Sequence, residues 1–433
     1  MTDATQERAF ASDGQNLLRW IERNRGAGGV MNVPIIYRLQ GTLDLAALRR
    51  AFTRVVARHE TLRTSFENSS GRLGQVIHAP RDVDVLVTDV AAEPDPAAAA
   101  YSSISDLLRA DIDVKTAPLP FIAHLYRLTP VDQILLINVH HLVTDAWSNM
   151  LLCRDLGAYY SHALGGEDPG LPPVDWQYRD YTRWHEQRIA GPVGEAHRQY
   201  WSQTLNEARY LELPATPGRR AAQLAPSENV WFTLTEDLVK QLRQLAAEHR
   251  TSLFVITLAI FYNALFLESG QHDISIGSIF ANRARREIKE TVGFFANMVT
   301  LRVATGVAPS FPEVLHGTRR AVLEALNHQE YPYRSLVLSA GTSHAHQAAQ
   351  VVFHMLAVPP GVAPPDGICF RGLAADTIRT PDGMGSRFDL ELLLIPQADR
   401  LDGVFRYAND RYGKAFIQGI ADRYLALTLS VIP

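Results

Sequence analysis

Two adjacent histidines, an acid four residues further on and a small residue after it are the groups in this chain best suited to chemistry. They stand as His140-His141-Leu142-Val143-Thr144-Asp145-Ala146. An imidazole takes up a proton near neutral pH, because its ordinary pKa is about 6.5, so His141 is the natural general base. Spacing alone does not bring Asp145 against it. Thr144 or Asp145 can instead cap a following helix, the side-chain oxygen accepting from an orphan amide of the first turn. An Asp145 turned away from the histidines would then fix the loop through an arginine.

The elements on either side present this turn. Ile134 to Val139 is a short apolar, β-branched run of strand length. Beyond Thr144 the spacing becomes helical, with Met150, Leu151, Leu152, Leu156 and Tyr159 on the buried side. The segment from Pro118 to Arg127 reads as a strand lying beside the first run. Upstream, Val33 to Leu39 is a strand and Asp44 to Glu60 a helix. Gln75–His78 and Val83–Val87 are short strands, and Ala91–Ala100 is a linker leading into a helix through Leu107 and Leu108. After a Gly- and Pro-rich connection at Gly165–Pro173 and a crossover at Leu211–Pro226, the second half starts afresh. Val230–Leu234 is a strand, and Thr251 or Ser252 caps a buried helix ending at Leu267. Asp273–Gly277 enters the loop Ala281-Asn282-Arg283, and a last helix starts near Lys414.

The chain has 433 residues, enough for two lobes of ordinary size. With 46% hydrophobic and 20% charged residues it has the composition of a soluble globular protein. A net charge of -4 and the lack of a basic run give no case for nucleic acid. The two cysteines, Cys153 and Cys369, allow no metal knuckle and read as buried thiols in a reducing cytoplasm. Asp111/Asp113 and His344/His346 lack the further ligands of a metal site, so no metal is expected. The start of the chain has no signal-peptide pattern, and Leu253–Leu267 is too short to span a bilayer, which takes about 20 residues.

The histidine run resembles the HHxxxDG signature of the condensation domains of nonribosomal peptide synthetases, with Ala146 in place of the final glycine. Other segments carry the same resemblance. Arg58-His59-Glu60-Thr61-Leu62-Arg63-Thr64-Ser65-Phe66 matches RHExLRTxF, and Gly293-Phe294-Phe295-Ala296-Asn297 through Arg302 matches GFFxNxxxLR. His328-Gln329-Glu330-Tyr331-Pro332-Tyr333 is similar to HQxxPF, and Arg387-Phe388-Asp389-Leu390 matches RFDL. Tyr178 to Trp184 resembles YxDYxxW, and Ser12, Gln15 and Trp20 sit near the places of an opening S-x-x-Q-x-x-L-W.

This resemblance implies an α/β fold of two chloramphenicol-acetyltransferase-like lobes, a V-shaped pseudodimer with a central tunnel. The lobes would be residues 1–173 and 184–433, with residues 174–183 crossing between them. It implies amide-bond formation between a carrier-bound acyl or peptidyl thioester and a carrier-bound aminoacyl acceptor, both tethered to 4'-phosphopantetheine, with no cofactor bound to the domain itself. His141, with His140 beside it, would accept the ammonium proton or hold the amine in line, and the backbone amides after His141 would face the oxyanion. Asp145 would be structural, paired with Arg63. Trp147, Ser148, Asn297 and Tyr178 would touch substrate. Ala146 is harmless if it adopts helical angles, and strains the loop if positive φ is required. The partners implied are donor and acceptor carrier proteins and a neighbouring adenylation domain, with no nucleic acid and no membrane, for a cytoplasmic monomer. An ester-forming or free-acceptor acyltransferase, and a noncatalytic recruiting domain, are the alternative readings.

Overall fold

The computed structural model describes residues 7–25, 28–69, 72–117, 119–208, 211–214, 226–339, 350–363 and 369–432. The elements begin β1 (Glu7–Phe10), α1 (Asp13–Arg25), β2 (Asn32–Gln40), α2 (Leu45–Arg58), β3 (Thr64–Ser69), β4 (Arg72–Ile77), β5 (Leu86–Asp89) and α3 (Pro96–Arg109). They continue β6 (Phe121–Thr129), β7 (Asp132–His140), α4 (Ala146–Ala163), α5 (Tyr178–Ile189), α6 (Pro192–Thr204), β8 (Ser227–Leu234), α7 (Glu236–Glu248) and α8 (Leu253–Ser269). The rest are β9 (Asp273–Phe280), β10 (Asn297–Ala304), α9 (Phe311–Asn327), α10 (Tyr333–Ser339), β11 (Val351–Met355), β12 (Ala374–Thr377), β13 (Leu390–Pro396), β14 (Leu401–Ala408) and α11 (Lys414–Ser430).

Two compact units result. One comprises Met1–Glu186, Arg283–Phe295 and Ala357–Gly385; the other comprises Gln187–Asn282, Ala296–Leu356 and Ser386–Pro433. The division is therefore not one cut at residues 174–183, because two later segments belong with the first unit. One is drawn in by β12, which pairs antiparallel with β2. The other is tied down at Trp176, whose N–H donates to Glu287 O and whose carbonyl accepts from Thr291 Oγ1 at 2.6 Å.

In the first unit the main sheet is ordered β12-β2-β7-β6-β5, beside a small sheet β1-β4-β3; in the second the order is β10-β9-β11-β13-β14-β8. The two large sheets share a plan. β2-β7-β6 and β8-β14-β13 are antiparallel throughout, and the next strand, β5 or β11, joins in parallel. β7 is central and buried from Gln133 to His140, which explains its nearly unbroken apolar run. α2 starts at a cap, Asp44 Oδ1 accepting from Ala47 N at 2.8 Å. The expected linker at 91–100 is helical from Pro96 onward. Asp95 caps that helix, and a proline in the first turn gives up only an N–H that would be orphaned anyway. The expected strand at 83–87 lies instead at Leu86–Asp89, and on α4 Tyr160 is buried where Tyr159 is only half-buried.

α8 forms the core of the second unit, buried around nearly its whole circumference and capped by Ser252. Among the described residues no single helix is long and apolar enough to cross a membrane; α7 and α8 pass together by length and composition only, with a 98° bend between them. Cys153 is buried, and burial pushes its thiol up to about 12; Cys369 is exposed, against expectation. Its stretch packs on α4, where a Cβ added at Gly157 would lie 2.4 Å from the Cys369 carbonyl oxygen. His344 and His346 lie outside the described residues, as does most of the crossover at 211–226.

Candidate active site

β7 ends at His140, and after five intervening residues α4 begins at Ala146. In that turn His141 N–H donates to Met31 O at 2.8 Å, and His141 Nδ1 lies 2.8 Å from Thr144 O. A carbonyl oxygen only accepts, so Nδ1 carries the proton and Nε2 keeps the lone pair of a base. The half-buried ring meets the edge of Phe294 at 5.1 Å between centroids. His140 has the opposite tautomer. Its Nδ1 accepts from Leu142 N at 3.1 Å, and its Nε2 faces Glu22 Oε1 at 3.3 Å. His140 is 1% exposed, so it supports the turn and does not face solvent. The Leu142 amide is thereby committed and is not available to an oxyanion, and the Thr144 amide points to His141 O.

Asp145 is the helix cap, accepting from Ser148 N at 2.7 Å. Its partner is not the expected arginine. Arg283 Nη2 lies 3.2 and 3.4 Å from the two Asp145 oxygens, and Phe295 N donates to Oδ2 at 2.9 Å. The same guanidinium donates to Ser148 Oγ and to the carbonyls of Ile288 and Thr291, and it lies 4.0 Å from the Phe295 ring centroid. Burial draws Arg283 below its ordinary pKa, and Asp145 acts against that shift. The Arg283 and Asp145 side chains are 1% and 3% exposed, so each leaves the other as an uncompensated buried charge if removed.

Arg63 is employed elsewhere. It donates to His78 O and approaches Glu60 at 3.8 Å. The first residues of its motif serve α4 at another point: Arg58 Nε and His59 Nε2 reach Asp155 Oδ2 at 2.8 and 2.9 Å, and Arg154 binds the other Asp155 oxygen. Burial pushes the His59 imidazole down in spite of Asp155. The motif therefore anchors the middle of α4, while the loop at its N-terminus is anchored by Arg283.

Ala146 is the first residue of α4 and is not among the residues with positive φ, so the methyl group in place of glycine costs no backbone strain. Of the residues expected to touch substrate, Ser148 is fully buried. Its Oγ donates to Gly293 O at 2.7 Å and accepts from Gly293 N at 3.0 Å. Tyr178 is 1% exposed, and its hydroxyl donates to Phe294 O and meets Ser12 Oγ at 2.8 Å. A Cβ at Gly293 would lie 2.2 Å from the Tyr178 ring, which is why glycine stands there. Both side chains brace the site from behind. Trp147 is half-buried, and its indole N–H donates to Lys289 O at 3.0 Å. Asn297 lies in the second unit. Its amide donates to Gln329 O and Tyr331 O and accepts from Tyr333 N, so it pins the turn of the HQxxPF-like motif. Among the described residues no group of three or more His, Cys, Asp or Glu comes together to hold a metal.

The histidine-bearing turn thus lies between a central strand and a capped helix, on an α/β plan repeated in two units. The condensation-domain family model matches residues 5–433, and the chain belongs to that family. Condensation domains are acyltransferases that form peptide bonds in nonribosomal peptide synthetases. The chain is 31% identical over 418 residues to the chondramide synthase of Chondromyces crocatus, a match covering 94% of this chain and 10% of the relative. It thus spans about a tenth of that protein. Its fold is similar to the first condensation domain of the calcium-dependent antibiotic synthetase in complex with a substrate analogue (TM-score 0.82, 19% identity, 98% and 95% of the two chains). It is also similar to the X-domain from teicoplanin biosynthesis (TM-score 0.81, 22% identity, 99% and 96% of the two chains).

Proposed function

We propose that this domain forms an amide bond between a carrier-bound acyl or peptidyl thioester and the amine of a carrier-bound aminoacyl group. The observation that carries this reading is the hydrogen bond from His141 Nδ1 to Thr144 O, which leaves Nε2 as the basic atom of a half-buried ring. The amine nitrogen attacks the thioester carbonyl, a C–N bond forms and the C–S bond breaks. The amine proton passes to His141 Nε2 and from there to the departing phosphopantetheine thiolate, so the imidazole is regenerated. An α-amino group titrates at about 8, so the base supplies a modest push. Holding two tethered reactants together supplies more, since effective molarities reach about 10⁵ M or above.

In this reading the partners are a donor and an acceptor carrier protein, with an adenylation domain as neighbour, and the domain acts as a cytoplasmic monomer. Asp145 and Arg283 are structural, and Trp147 is the one of the four expected contact residues whose half-buried place in α4 still suits a substrate. Ester formation requires only that a hydroxyl replace the amine. The recruiting alternative is disfavoured by the intact His141–Thr144 geometry and the unstrained Ala146.

The test is intact-protein mass spectrometry of a panel of acyl-loaded donor carriers against aminoacyl-loaded acceptors, with wild type beside His141→Ala. Acyl mass is expected on the acceptor with wild type and at least ~100-fold more slowly with the variant, the usual contribution of a positioned base. Equal transfer by both would remove His141 from the chemistry. Absence of transfer with either, while carriers still bind, would favour the recruiting domain.

A further inference from the structure

The turn that carries His141 is gripped from one side by α1, a helix outside the His motif. Gln15 Nε2 donates to Leu142 O at 2.9 Å. Glu22 is seven residues later, two helical turns on, and so lies on the same face of α1. Its Oε1 is 3.3 Å from His140 Nε2. The helix itself is set by a reciprocal pair at its start, Ser12 N to Gln15 Oε1 at 3.0 Å and Gln15 N to Ser12 Oγ at 3.1 Å.

The His140 ring has only one protonation pattern that satisfies both of its neighbours. Leu142 N–H is a donor, so Nδ1 must be the acceptor. A carboxylate is an acceptor only, so Nε2 must hold the proton. Doubly protonated or inverted, the ring would leave the buried Leu142 amide without its acceptor. That amide belongs to the peptide unit that starts at the His141 carbonyl, so its direction sets the backbone from which the His141 side chain projects. The Glu22 side chain is 15% exposed and also pairs with Arg19. Burial pushes its carboxyl up, but the partnership with His140 and Arg19 outweighs that, and the net shift is downward, toward the acceptor form.

We propose that Glu22 is a positioning residue for the reaction: by accepting from His140 Nε2 it holds the tautomer that binds Leu142 N–H, and thereby aims His141. The proposal rests on His141 being the base of the transfer reaction, but the Glu22–His140 link can be tested without any substrate. Histidine-selective ¹⁵N NMR of the domain reads it directly, with the His140 signals assigned by their loss in His140→Gln. Wild type is expected to show His140 protonated at Nε2 only. Glu22→Ala, checked for folding by its thermal melt, is expected to show mixed tautomers, and Glu22→Gln, which keeps an acceptor oxygen, to restore the single one.

With a carrier pair that wild type turns over, Glu22→Ala is expected to lower kcat tenfold or more with KM within twofold, and Glu22→Gln to recover most of the loss. In the His140→Gln background the same Glu22→Ala change is expected to add less than a twofold loss. An unchanged His140 tautomer in Glu22→Ala, or an equal loss in both backgrounds, overturns the proposal. If wild type transfers nothing while the tautomer changes as stated, the failure belongs to the proposed reaction and the Glu22 link stands.

Discussion

The first unit has a turn after β7 and the second has its counterpart after β14, and the two share a frame but not a chemistry. Each turn spans five residues, 141–145 and 409–413, between the last residue of an interior strand and the first of a helix. Each strand end faces the first residue of its neighbour, His140 opposite Asn32 and Ala408 opposite Ser227. Position by position, His141 corresponds to Asn409 and the cap Asp145 to the cap Gly413. In the second turn Asn409 Nδ2 donates to Glu228 Oε1 at 3.1 Å, and Arg411 holds Asp389 at 2.9 Å. These contacts tie the turn down but offer no group that titrates near neutral pH. In the proposed reading the same scaffold thus carries a base in one turn and none in the other, according to a few side chains and to the strip at 283–295 that locks the first turn, so function is argued from the site and not from the fold.

The largest break in this comparison comes from the lock. Arg283→Met strands Asp145 as a buried charge and is expected to cost about 3–5 kcal/mol in denaturant unfolding. Arg63→Met, for which the resemblance implied that larger loss, removes a charged hydrogen bond to His78 O and is expected to cost less, about 1.5–3 kcal/mol. Equal losses from the two would restore Arg63 as the partner of the loop.

The second unit has its own buried pair. His354 Nε2 lies 3.0 Å and Arg406 Nη1 3.4 Å from the Glu391 oxygens. Burial raises the Glu391 carboxyl, but His354, Arg406 and Arg387 outweigh it and push it down to about 2. In the unfolded chain a glutamate titrates at about 4.3, so on acidification the unfolded state takes the proton first. The stabilisation is present above about 4.3, is lost as pH falls and is gone below the folded value of about 2. The melting-temperature gap between wild type and Glu391→Gln should therefore be widest near pH 6 and close progressively toward pH 2. A gap that is constant with pH would show that the pairing does not tune Glu391.

The smallest effect belongs to the inert turn. Asn409→Ala is expected to leave the carrier-to-carrier transfer rate within twofold of wild type. It removes one side-chain hydrogen bond, worth about 1 kcal/mol in a melt. A tenfold loss of transfer would mean that the second turn takes part in the reaction after all.

Much of the frame was legible in the residues themselves. The apolar run of β7, a cap at Thr144 or Asp145, the switch to helical spacing in α4 and the all-apolar α8 are local patterns, and local patterns follow from backbone hydrogen bonding and burial within a few residues. The histidine pair was legible for the same reason, since its motif is contiguous. The partner of Asp145 was not, because Arg283 is 138 positions away and no periodicity links them. Its one local sign is an arginine three residues past the end of β9, a strand of mostly buried residues. Tyr178, Ser148 and Asn297 looked like contact residues because a polar side chain in a motif reads alike whether it meets a ligand or satisfies a buried backbone group.

The sequence by itself thus determined most of the elements, the place of the histidine pair and the capped start of α4, each of which depends on neighbours within one or two turns. Only the tertiary structure decided which arginine neutralises the buried acid, which imidazole nitrogen keeps its lone pair and which motif residues face inward. Those outcomes depend on distances between segments far apart in the chain, where burial makes an unpaired charge or amide too costly to leave alone.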